Sequence, residues 1–187
     1  KEAELMLRNE SPLSYDEIYT DILASGNWRF SQKLRQYWTM IPPEKKYECF
    51  LEFYVTSEGR FNRNLVRWAK KYRPTDYLID LPGEYIDKST LEVYRASTLP
   101  PEYEFLIQNE PAWTLKKRVA EWFRDRAKLI SVSRYIYKAT INKDDIVAYT
   151  NCRKEYEVVQ IGSVKDIQCI ESPLDPKVRY LKKEISI

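Results

Sequence analysis

Apolar residues recur at helical spacing up to Tyr72 and in short alternating runs after Pro74, so the chain predicts two parts with different periods. Ser14 and Glu17 make a capping-box pattern ahead of Tyr15, Ile18, Tyr19, Ile22 and Leu23, whose spacing of three and four draws one apolar stripe. Gly26 and Asn27 interrupt that run. A second helix carries Phe30, Leu34, Tyr37, Trp38 and Ile41 on one face and stops before Pro42-Pro43, because a residue before proline avoids helical angles. Pro43 suits the first turn of a third helix over about 44–55, with Tyr47, Phe50, Leu51 and Tyr54 as its stripe. A fourth is expected from about Arg60 to Tyr72, ended by Pro74.

Beyond Pro74 the segments LEVYRAS (91–97), YIYKATI (135–141), DIVAYT (145–150), EYEVVQIG (155–162) and VKDIQCI (164–170) are short, rich in β-branched and aromatic residues, and separated by polar turns. They read as strands. One helix interrupts them, with Thr114 as its expected cap and Leu115, Val119, Trp122 and Phe123 along it. The expected fold class is α+β: a helical segment over 1–75, then a mostly β domain over 76–187.

Composition narrows the chemistry. The 187 residues contain no histidine, which removes a Ser-His-Asp triad, a Cys-His pair and the usual zinc sites, so no metal is expected. Catalysis is left to carboxylates, hydroxyls, arginine or a bound cofactor. Cys49, Cys152 and Cys169 are too few and too widely spaced for a disulfide framework and suit reduced thiols. No apolar run reaches the length of a membrane span, and the first ten residues lack the apolar core of a secretion signal, so a cytoplasmic protein without a membrane partner is expected. Residues 1–90 balance acid against base, and the net +3 falls in 91–187.

In EYEVV, strand alternation places Glu155 and Glu157 on one face and Tyr156 and Val158 on the other. Two like charges that close resist joint ionisation, a property suited to acid–base work or to meeting a developing positive charge. Arg95 ends the first strand, where its planar fork suits a diphosphate. Ala112-Trp113-Thr114 lies at a helix start, where a hydroxyl and free backbone N–H groups suit a ligand. Each piece alone also has an ordinary reading: a solvated strand face, a surface ion pair, a helix cap, a core tryptophan.

Together, VYRAS (93–97), AWTLKKRVAEWF (112–123) and RKEYEVV (153–159) resemble the arginine, serine/threonine, glutamate type of ADP-ribosyltransferase, over about residues 91–170. YKATINKDDIVAY (137–149) resembles the strand pair that precedes the glutamates in bacterial and phage members. Ser131-Val132-Ser133 matches the serine element more literally but runs straight into a strand, whereas Thr114 has the required helix behind it. Ala112 departs from the family, standing where many members carry a first hydroxyl.

The resemblance implies an ADP-ribosyltransferase-like β core that uses NAD as substrate. Glu157 would stabilise the ribose as the nicotinamide bond breaks, Glu155 would take a proton from the acceptor or orient it, and Thr114 would support Glu157 or the ribose. Arg95 would hold the diphosphate, and Trp113 would cover the nicotinamide. Tyr149, Asn151 and Arg153 lie in the stretch that would recognise the acceptor, a protein side chain such as arginine or an RNA or DNA base. A bacterial toxin, defence or phage effector is the implied setting. NAD glycohydrolase activity stays open as an alternative.

One feature lies outside this pattern. Arg60, Arg63, Arg67 and Lys70 or Lys71 recur along the fourth helix, in a stretch with six basic residues and no acidic one. Such a stripe suits solvent, the phosphates of a nucleic acid, or an acidic protein such as an antitoxin. A non-catalytic nucleic-acid-binding module is therefore the competing reading.

Overall fold

The computed structural model describes residues 12–58, 61–128 and 134–173. Within them the chain is α+β, with four helices followed by a six-stranded antiparallel sheet that carries two more helices. It divides after Pro74 into two units. Among the described residues no helix is long and apolar enough to cross a membrane.

In the helical unit, α1 (Tyr15–Ala24) opens on the capping box read from the sequence, with the Ser14 hydroxyl and the Glu17 carboxylate each accepting the other's backbone N–H. Gly26 takes φ +82, the left-handed turn that glycine adopts without a Cβ penalty, and α2 (Phe30–Tyr37) follows. A 3-10 turn at Pro43–Lys45 leads into α3 (Lys46–Thr56). The buried face of α3 is rotated from the expected stripe: Phe50 and Tyr54 are buried, but Cys49 and Phe53 join them in place of Tyr47 and Leu51. Phe53 decides this, because it meets Phe30 edge-on at 4.9 Å between ring centres. Lys46 is buried with its ammonium 4.9 Å from the centre of the Tyr72 ring, a cation held by an aromatic face.

The fourth helix is shorter than expected. As α4 (Arg63–Lys70) it begins after Asn62, whose side chain accepts the N–H of Asn64 at 2.9 Å, and it buries Leu65, Val66 and Ala69. Arg60 lies outside the described residues.

The second unit is built on β1 (Thr90–Ser97), β2 (Ala112–Thr114), β3 (Tyr135–Asn142), β4 (Ile146–Thr150), β5 (Glu157–Gln160) and β6 (Lys165–Glu171), in the order β4-β5-β2-β1-β3-β6. Short helix α5 (Glu104–Ile107) lies between β1 and β2, and α6 (Lys117–Lys128) follows β2 and packs on β1, β2 and β3. Leu91 and Val93 are fully buried beside their β3 partners Ile141 and Ala139. A one-residue slip would carry both to the opposite face at a cost of roughly 1.5–3 kcal/mol for each, which pins the register. That register sorts the side chains that matter. Tyr94, Thr114 and Glu157 are successive cross-strand partners and share one face, whereas Trp113 pairs with Val158 on the other.

Candidate active site

Thr114 is the last residue of β2 and not a helix cap as the sequence suggests, because Ala112–Thr114 pairs with β5 before the chain turns into α6. Its side chain is nearly buried, and its hydroxyl donates to the Glu155 carbonyl at 2.6 Å while accepting the N–H of Lys116 at 3.2 Å. On the neighbouring strand Glu157 sits directly opposite.

The two glutamates meet by a different route from the one expected. β5 starts only at Glu157, so Glu155 is outside the strand and alternation does not place it. Lys154 and Tyr156 instead adopt φ +59 and +50, left-handed values that turn the chain twice around Glu155. The turn is tied from three sides. The N–H of Lys154 bonds the Asn151 carbonyl at 2.9 Å, the N–H of Tyr156 bonds the Asn151 side chain at 3.1 Å, and the N–H of Leu115 bonds the Tyr156 carbonyl at 3.0 Å. Asn151 therefore shapes the loop from an exposed position.

A cavity of about 230 Å³ opens here, lined by Thr114, Glu155, Glu157 and Arg153 together with Ala120 and Phe123 of α6. The Glu155 and Glu157 side chains keep only 18% and 12% of their exposure. Arg153 Nη2 lies 3.0 Å from Glu155 Oε2 and 3.5 Å from Glu157 Oε2, so one guanidinium bridges both carboxylates.

Three expected site residues are placed differently. Trp113 is 2% exposed, its ring belongs to the hydrophobic core, and its Nε1 donates to the Glu110 carbonyl at 2.9 Å, so it stands in the cavity wall as a buried anchor. Tyr149 is also a core residue, 5% exposed and paired with Val158, and burial pushes its phenol up to about 12. Its ring is closed off from solvent. Arg95 reaches the cavity wall, but its register partner is Tyr137, and its guanidinium bonds Glu110 at 3.1 Å and donates to the Ala112 carbonyl. The fork expected to clamp a diphosphate is thus already engaged by a carboxylate.

Four residues that the sequence reading passed over complete the site. Arg134 lines the cavity just before β3, donating to the Phe123 carbonyl at 3.2 Å, and makes no ion pair among the described residues. Its only sequence signal is a cation at a strand entrance. Glu110 holds Arg95 through its side chain and both Trp113 and Gln160 through its carbonyl, and nothing in its local sequence marks it. Phe123 and Tyr94 supply the aromatic lining.

No family model, curated protein or solved structure matches the chain. The site therefore stands on its own geometry.

In α4, Arg67 is exposed and bonds the Asn64 side chain at 3.3 Å, Lys71 just beyond the helix is exposed, and Arg63 and Lys70 are half-buried. Ser131 and Ser133 lie outside the described residues. The three cysteines are free thiols, and burial pushes Cys49 up to about 11, which suits an inert core residue.

Proposed function

We propose that the β unit is a mono-ADP-ribosyltransferase that moves ADP-ribose from NAD to a macromolecular acceptor. The observation that carries this reading is the convergence of Thr114, Glu155 and Glu157 in one cavity, although 41 residues separate Thr114 from Glu155. A hydroxyl and two recessed carboxylates suit a reaction that develops positive charge on a sugar carbon, because a carboxylate fixed in a partly dry site stabilises that charge without reorganising.

Each group takes a part. Glu157, held by β5 beside Thr114, faces the ribose as the bond to nicotinamide breaks and its electron pair leaves with the nicotinamide. Glu155, held through its own carbonyl by Thr114, accepts the proton that the acceptor loses. Arg134 takes the diphosphate, since Arg95 is bonded to Glu110 and keeps the β1–β2 wall in place. Phe123 and Tyr94, less buried than Trp113, offer the flat apolar surface that the nicotinamide requires. Ala112 lines the cavity where a first hydroxyl is expected, and the Thr114 hydroxyl holds Glu155 without it.

The test is incubation of the chain with NAD labelled in its adenylate half, in the presence of protein and of nucleic acid. Label entering either macromolecule supports transfer and names its acceptor. Label appearing only as free ADP-ribose would make the protein an NAD glycohydrolase, and intact NAD would remove the enzymatic reading.

A further inference from the structure

Arg153 occupies an unusual position in the cavity. Its side chain is 43% exposed, yet its guanidinium ends on the two carboxylates that line the cavity, closer to Glu155 than to Glu157. The double left-handed turn at Lys154 and Tyr156, tied to Asn151, keeps the Arg153 backbone beside the carboxylates that its side chain reaches. Resting on the transferase reading above, this is where an incoming nitrogen nucleophile has to stand: next to the carboxylate that takes its proton and beside the one that faces the ribose.

We propose that Arg153 is itself an acceptor, and that the chain ADP-ribosylates its own Arg153 in cis. The guanidinium gives a proton to the Glu155 carboxylate. The freed nitrogen lone pair forms a bond to the ribose carbon, the carbon–nitrogen bond to nicotinamide breaks, and neutral nicotinamide leaves with the electron pair. Glu155 then returns its proton to water. One N-glycosidic bond replaces another, and no oxidant or reductant is needed. Arg153 and Glu155 share one short loop that leads into Glu157 of β5, so the encounter is intramolecular, which raises its effective concentration far above that of a dissolved acceptor.

The experiment mixes the ordinary chain with an isotopically heavy Glu157→Gln chain, supplies NAD, follows nicotinamide release and maps modified residues by mass spectrometry. The expected result is one ADP-ribose unit on Arg153 of the light chain only, formed at a rate independent of chain concentration. Nicotinamide release with Arg153 unmodified overturns the proposal, as does modification confined to another residue such as Lys154. Equal modification of the heavy chain overturns the cis step. No nicotinamide release at all removes the transferase reading itself, and the proposal with it.

Discussion

Thr114 and Glu157 stand opposite one another as cross-strand partners of β2 and β5. The pairing makes a three-residue strand the keel of the site: the same Thr114 hydroxyl that sits beside Glu157 also fixes the backbone of Glu155. Glu155 thus depends on the Thr114 side chain, and Glu157 on the strand that carries it.

Replacing Thr114 by valine keeps its shape and removes that hydrogen bond. The Glu155 carbonyl then loses its partner, a loss of about 1–3 kcal/mol in unfolding free energy. Urea denaturation should show the loss, with nicotinamide release falling further than stability alone explains. Thr114→Ser should recover most of both.

Arg134 and Arg95 separate the two ways in which an arginine can serve the site. Arg134→Gln should raise KM for NAD about tenfold, the equivalent of one charge-assisted hydrogen bond, while kcat changes little. Arg95→Gln should instead lower thermal stability, because it abandons Glu110 in a half-buried position. Steady-state kinetics beside thermal melts distinguish them. The reverse pattern would return the diphosphate to Arg95.

Lys154 carries a left-handed backbone on a side chain with a Cβ. Lys154→Gly should relieve strain on the order of 1 kcal/mol in the folded loop, partly offset by the greater freedom of glycine in the unfolded chain. A measured stability equal to or above that of the parent, with Glu155 still beside Arg153, is the expected outcome.

Acid should loosen the junction of β6 with α6. Hydrogen bonding from Lys117, with Arg124 beside it, holds the Glu171 carboxyl below the usual carboxylate range. A carboxyl lowered in the folded state contributes stability at pH above its unfolded value of about 4.3 and loses it as pH falls through the folded value. Glu171→Gln should therefore be less stable than the parent at pH 7, and the difference should shrink as the pH drops below about 4. Unfolding midpoints across that range check the sign.

Much of the fold was legible because hydrophobic period reports burial directly. Leu91 and Val93 alternate with Glu92, and the Ser14–Glu17 box marks a helix start whatever follows it. β2 was not legible, since three residues carry no period and Trp113-Thr114 reads as the approach to α6. Glu155 and Glu157 converge in one cavity, but through two left-handed residues at Lys154 and Tyr156 that no local rule requires. The roles of Trp113, Tyr149 and Arg95 depended on partners distant in sequence: the core for the first two and Glu110 for the third.

The central claim is that Glu157 acts on the bond between ribose and nicotinamide. Nicotinamide release from NAD by the full chain, compared with release by Glu157→Gln, tests it most directly. The account predicts a loss of roughly 100-fold or more, with circular dichroism and melting of the variant close to those of the parent. Release by a folded Glu157→Gln chain at the parent's rate would contradict it.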